Sequence, residues 1–219
     1  MLCLTAATGA VGSVAAKPTA TEFEEAAIAV ERNDTDGDTE VVIDLTAGDE
    51  GLRTLHMRTP DGRWIAHVIS HPSSEGMREF HFESPEPAGD RILASYPEGT
   101  YAFHGRSTSG ERFLSAADLS HELPAAPTII NPVQGEVVGA DALTIQWSAV
   151  SGIVGYIVEF ENESVDPEQT LTVNLPASTT SFDVPAALLV PGADYQVGVA
   201  AVGDNGNITV TETTFSTAE

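Results

Sequence analysis

From Ala125 to the end of the 219-residue chain, apolar and polar side chains alternate in short runs, each closed by Gly, Pro, Asn or Asp. No part of this stretch keeps a helical period of useful length, so its pattern supports strands. The runs are Thr128–Asn131, Leu143–Trp147, Gly155–Glu161, Gln169–Asn174, Ser181–Val184, Asp194–Val202 and Ile208–Phe215. A period of two leaves each strand with one apolar face, which a second sheet has to cover.

Seven short strands in this length is the spacing of an immunoglobulin-like sandwich. Leu143, Ile145 and Trp147 fall on one face of their strand, toward the core. Further on, Leu189, Pro191, Gly192, Tyr195, Val197, Val199, Ala201 and Val202 are spaced as L-x-P-G-x-x-Y-x-V-x-V-x-A-V. This run resembles the signature of fibronectin type III domains, and Tyr156 with Val158 is similar to that family's third strand. The resemblance covers residues 125–219. It implies a corner in which the Tyr195 hydroxyl bonds to the chain just upstream, and structural rather than catalytic roles for Trp147, Tyr156, Leu189, Pro191 and Tyr195. The family's integrin-binding Arg-Gly-Asp loop has no counterpart, because the matching turn Gly203–Asn207 holds no Arg.

Upstream, residues 19–124 show the same grammar, with strands expected at Thr39–Leu45, Arg53–Arg58, Arg63–Ser70, Met77–Glu83, Thr100–Arg106 and Glu111–Leu119. One helical turn is expected over Asp90–Ser95. The fold expected for the whole chain is all-β: two immunoglobulin-like antiparallel β-sandwiches in tandem, packed end to end. Residues 75–87 followed by 96–101 resemble a pattern of secreted bacterial proteins of unassigned function that carry a fibronectin-type tail. That likeness implies export and supplies no chemistry.

Charge divides the chain near Pro124. All nine Lys and Arg and all six His lie before it, whereas residues 125–219 carry twelve acids and no base. With 33 acids overall the formal charge is −24, which suits saline surroundings or simple solubility. Such a balance argues against nucleic acid as a partner, since phosphate backbones are held by Lys and Arg clusters. One Cys excludes an intrachain disulfide framework. Residues 1–18 are uncharged and apolar up to Lys17 and end in small residues, the pattern of a truncated signal peptide with its true start upstream. Cys3 follows only Met1 and Leu2, so no lipoprotein box precedes it and a lipid anchor there is not expected. No apolar run reaches the length of a membrane-spanning helix.

Chemistry is sparse. Asp34, Asp36 and Asp38 sit at alternate positions around Gly37 and form the one candidate metal set, for calcium. Thr39 and Leu45 stand where an EF-hand needs Gly and Glu, so the motif is a different one. A solvated turn is the competing reading. His67 and His71 would share a helix face, but on a strand they lie about 13 Å apart. No catalytic constellation and no further cofactor emerge. Asn33, Asn162 and Asn207 fit the glycosylation sequon, which in a bacterial protein arises by chance. The expectation is a non-enzymatic, secreted or periplasmic binding or spacer module whose partner is a protein or polysaccharide. Asn162–Gln169 and Gly203–Asn207 are its candidate contact loops. The alternative is a carbohydrate-binding or hydrolase-accessory module using Trp64, Tyr96 and Tyr101 as exposed aromatics.

Overall fold

The computed structural model describes residues 20–49, 51–71, 75–85 and 89–219; the signal-like segment and Cys3 lie outside them. The first sandwich contains β1 (Glu25–Asn33), β2 (Thr39–Thr46), β3 (Leu52–Arg58), β4 (Trp64–Ile69), β5 (Glu79–Glu83), the short helix α1 (Gly89–Ser95), β6 (Gly99–Ser107) and β7 (Arg112–Leu119). The second contains β8 (Ile129–Asn131), β9 (Glu136–Val138), β10 (Leu143–Trp147), β11 (Ile153–Asn162), β12 (Gln169–Pro176), β13 (Ser181–Val184), a single 3₁₀ turn (Ala186–Leu188), β14 (Asp194–Gly203) and β15 (Ile208–Thr217). Both sandwiches are wired alike. The sheets of the first run β1-β2-β5 and β4-β3-β6-β7, and those of the second run β8-β10-β13 and β12-β11-β14-β15. Apart from the added β9, the strand order is one pattern used twice, as expected for tandem immunoglobulin-like units.

Each sandwich has its own core. Val30, Ile43, Leu45, Leu55, Met57, Tyr101 and Phe103 fill the first, while Ile145, Trp147, Tyr156, Phe160, Tyr195 and Val197 fill the second. Aromatic packing in the second core is dense: Trp147 meets Tyr156 edge-on at 5.4 Å, and Tyr195 stacks between Phe160 and Phe215 at 5.0 and 5.2 Å. The Tyr195 hydroxyl donates to Leu188 O at 2.9 Å and accepts from Val190 N–H at 2.6 Å, closing a corner onto the segment just before β14. Leu189 is buried behind it, whereas Pro191 is exposed. The first sandwich uses a similar device, with the buried Tyr101 donating to Pro97 O at 2.9 Å. Tyr101 therefore cannot serve as an exposed aromatic, and Tyr96 is half-buried against the same core. The tyrosine after each Pro-x-Gly or Pro-Gly turn is needed inside, where its ring fills the core and its hydroxyl ties down the turn.

The sandwiches follow in tandem and are joined where the end of one strand overlaps the start of another. Strand β1, which the sequence pattern did not reveal, pairs with β2 along its length and runs parallel to β15 at Glu31–Ile208, Arg32–Thr209 and Asn33–Val210. The result is one continuous sheet, β12-β11-β14-β15-β1-β2-β5, shared by both units. The far end of the β15 edge, Phe215–Thr217, pairs with β9, also in parallel, so two pairings depart from the antiparallel expectation. An unpaired edge invites adventitious strand pairing, and β1 with β9 shortens the open edge of β15 from both ends. Ile28 and Val30 anchor β1 in the first core, each contributing about 1.5–3 kcal/mol by burial.

A buried amide locks the junction. Asn207 Oδ1 accepts from Val30 N–H at 2.8 Å, and its Nδ2 donates to Ser120 O and Glu122 O, both at 2.8 Å. Asn205 Nδ2 donates to Glu122 O at 2.8 Å, and Thr209 Oγ1 donates to Pro124 O at 2.8 Å, so the connector between the sandwiches is pinned as well. Gly203–Asn207, expected to be a free contact loop, is thus consumed by the domain junction. Its sequon asparagine is fully buried. Asn162 is buried too, with Oδ1 accepting from Ser164 N–H at 3.0 Å.

Candidate interaction face

The outward side of the sheet β4-β3-β6-β7 gathers side chains far apart in sequence. Inward positions Leu55, Met57, Tyr101, Phe103 and Phe113 belong to the core, which commits the alternate positions to solvent. Strand register then sets three rows across the sheet. The first is Ile69, Thr54, Arg106 and Arg112; the second is His67, His56, His104 and Leu114; the third is Trp64, Arg58, Ala102 and Ala116. A bulge between Met57 and Arg58 skips Ile65, so Trp64 rather than its neighbour faces Arg58. The three rows hold three Arg, three His and one Trp, and no acid, in a chain of charge −24.

These side chains are available. Trp64, Ile69 and Leu114 are 54%, 64% and 44% exposed. The His56 and His67 rings stack at 3.9 Å, His56 tilts against Trp64 at 5.2 Å, and the Arg58 guanidinium lies 3.9 Å over the indole. Among the described residues, Arg58, Arg106 and Arg112 have no carboxylate within 4 Å, whereas Arg32, Arg63 and Arg78 each face one. Partial burial, then the charges of His67, His104 and Arg58, hold the His56 pKa below its ordinary value. Burial, then Arg58 and Arg112, do the same for His104. Each of these neighbours pushes the same way, so His56 and His104 gain charge only as pH falls or an anion arrives.

The outward side of the shared sheet is the opposite in character. Glu31 faces Glu40 across β1 and β2, and burial followed by Asp44 and Glu83 raises the Glu31 pKa. His81 bridges two carboxylates, with Nδ1 2.6 Å from Asp44 Oδ1 and Nε2 2.7 Å from Glu83 Oε1. These hydrogen bonds raise its pKa to about 9. The folded value lies above the ordinary 6.5, so the bridge contributes fully below about pH 6.5 and is lost as pH rises through about 9. His81→Gln is therefore expected to flatten the fall in melting temperature over that window, by a small amount for so exposed a pair. A variant as pH-sensitive as the parent in thermal melts would contradict this.

The calcium candidates are not gathered into a ligand set. Asp34 lies 3.6 Å from Arg32, and Asp36 Oδ1 accepts from Asp38 N–H at 3.0 Å within the β1–β2 turn. Among the described residues, no three acidic or histidine side chains are placed to hold a metal ion. Asn162–Gln169 remains an open turn between β11 and β12. Within the described residues, no helix is long and apolar enough to cross a membrane.

Residues 125–217 match the family model "Fibronectin type III domain". No curated protein matches the chain. Among solved structures, the FN1–FN3 domains of chicken CNTN1 align at 12% identity and a TM-score of 0.35, over 91% of this chain and 68% of that one. The fibronectin(III)-like modules of Clostridium thermocellum CbhA align at 12% identity and 0.34, over 90% and 94%. A two-domain fibronectin type III segment of chicken tenascin aligns at 14% and 0.32, over 89% and 98%. The matched motif, the seven-strand order and the corner built by Tyr195 agree with one another: the C-terminal sandwich is a fibronectin type III domain.

Proposed function

We propose that the protein is an exported, non-enzymatic binding module, in which the two locked sandwiches form a stiff mount for the Arg–His–Trp face of the first. The observation that carries this reading is the run of twelve outward positions without an acid, on a chain with 33. Random placement on so acidic a chain would have scattered carboxylates among those arginines, and elsewhere it does. A face of unpaired cations and exposed apolar side chains is suited to an anionic partner. The signal-like N-terminal residues and the family of the second domain support export and a binding or spacer role. The Asn207 junction supports stiffness.

The test is retention on a carboxylate cation-exchange matrix. Near 0.1 M salt the Debye length is about 10 Å, so the face acts locally while the distant negative charge is screened. The parent is expected to be retained despite its net charge, and Arg58→Gln/Arg106→Gln/Arg112→Gln to pass through. Three exposed charge contacts at about 0.5–1 kcal/mol each amount to roughly 10–100-fold in affinity. Equal behaviour of parent and variant would overturn the reading.

A further inference from the structure

Resting on that reading, we propose that the face takes a carboxylated polysaccharide and that binding is coupled to proton uptake by the row His67, His56 and His104. Size and charge spacing select the ligand. Three strand gaps of about 4.8 Å and two steps of about 6.8 Å give the three rows a span of roughly 14 by 14 Å, or about 200 Å². A stable protein interface needs about 800 Å² per partner, several times more. A single polymer strand needs far less width. Nucleic acid places a charge every 1.7 Å or so along the duplex, too dense for arginines spread over three strands. Carboxylates carried one per sugar suit that spacing, and the exposed indole of Trp64 offers an apolar surface for a sugar ring, with Arg58 on one of its faces.

Proton coupling follows from how the row is built. His56 and His67 stack at 3.9 Å, so two imidazolium rings there repel each other, and His104 pairs with His56 from the other side. The charged neighbours on every strand of the sheet are also cationic: Arg58 on β3, Arg106 on β6 and Arg112 on β7, while β4 adds His67 itself. Three carboxylates at the borders of the face already have partners, and the first, Glu111, accepts from Thr21 Oγ1. Asp61, in the β3–β4 turn, pairs with Arg63 at 2.7 Å, and Asp118 accepts from Thr100 Oγ1 at 2.6 Å beyond the third row. A bound carboxylate supplies the missing countercharge and draws protons onto the rings. By linkage, lower pH then tightens binding.

The probe is oligogalacturonate, whose carboxylates, like other sugar acids of ordinary pKa near 4, stay ionised at pH 5.5. Its methyl ester and poly-glutamate are the controls, and titration calorimetry on the full chain is the readout. The expected affinity gain for the parent between about pH 8 and pH 5.5 is roughly tenfold, with proton uptake seen as a heat that depends on the buffer. His56→Gln/His67→Gln/His104→Gln should bind with an affinity that no longer rises as pH falls and with no buffer-dependent heat of proton uptake. The ester should bind weakly. Oligogalacturonate binding that ignores pH, or a gain that survives in the triple histidine variant, would overturn the coupling and leave the binding face standing. Poly-glutamate bound in preference to oligogalacturonate would overturn the ligand class. No binding of either at any pH would overturn the face itself.

Discussion

Asn207→Ala is expected to lower stability by about 3 kcal/mol, a large effect for one side chain that touches neither core centre. The amide, on the second sandwich, is fully buried and satisfies one N–H of the first sandwich and two carbonyls of the connector. Truncation strands all three at the place where β1 begins to pair with β15. Leaving a buried polar group without a partner costs about 1–3 kcal/mol, and the three losses are coupled rather than additive. Asn207→Asp should be comparably harmful, because a carboxylate can accept from Val30 N–H but cannot donate to Ser120 O or Glu122 O. Thermal melts check both variants. The parent should unfold in one transition and the variants in two, as the sandwiches uncouple. A single transition with less than about 1 kcal/mol lost would show that the amide does not hold the junction.

The second large effect is expected at Tyr195→Phe, at about 2 kcal/mol. The ring keeps its stacking with Phe160 and Phe215, so the loss isolates the hydroxyl. That hydroxyl serves Leu188 O and Val190 N–H at once, and without it both backbone groups around the 3₁₀ turn lose a partner. Denaturant unfolding should show a lower midpoint with an unchanged slope. Binding at the first sandwich should be untouched. A midpoint equal to the parent's would remove the corner as a stabilising device.

Much of the second sandwich was legible in its residues. All seven strands expected after Ala125 are present, and Leu143, Ile145, Trp147 and Tyr195 point inward as their spacing required. The missed elements have a physical reason. In β1, Ile28 and Val30 are the only large apolar residues of Glu25–Asn33, and Ala26, Ala27 and Ala29 carry no strand preference. What makes that segment a strand is the pair of edges waiting in β2 and β15. Such a preference belongs to the tertiary structure. The parallel joint, and with it the fate of Gly203–Asn207, was hidden for the same reason.

The candidate face was half visible. His56 with Arg58, His104 with Arg106, and Arg112 with Leu114 each show a period of two inside a predicted strand, on positions that the core pattern assigns to solvent. That basic alternation was a usable signal. It becomes a face only through register, because residues 56, 67 and 104 come into one row when β3 lies between β4 and β6. Trp64 is aimed by a bulge whose position no local pattern announces.

The most direct test of the binding face is a titration of oligogalacturonate into the protein, followed by NMR of the histidine ring protons near pH 6. The rings of His56, His67 and His104 should shift together and move toward their protonated values. Those of His81, between its two carboxylates on the opposite sheet, should stay still. Shifts at His81 in place of the row, or no ring shifts at saturating ligand, would contradict the assignment.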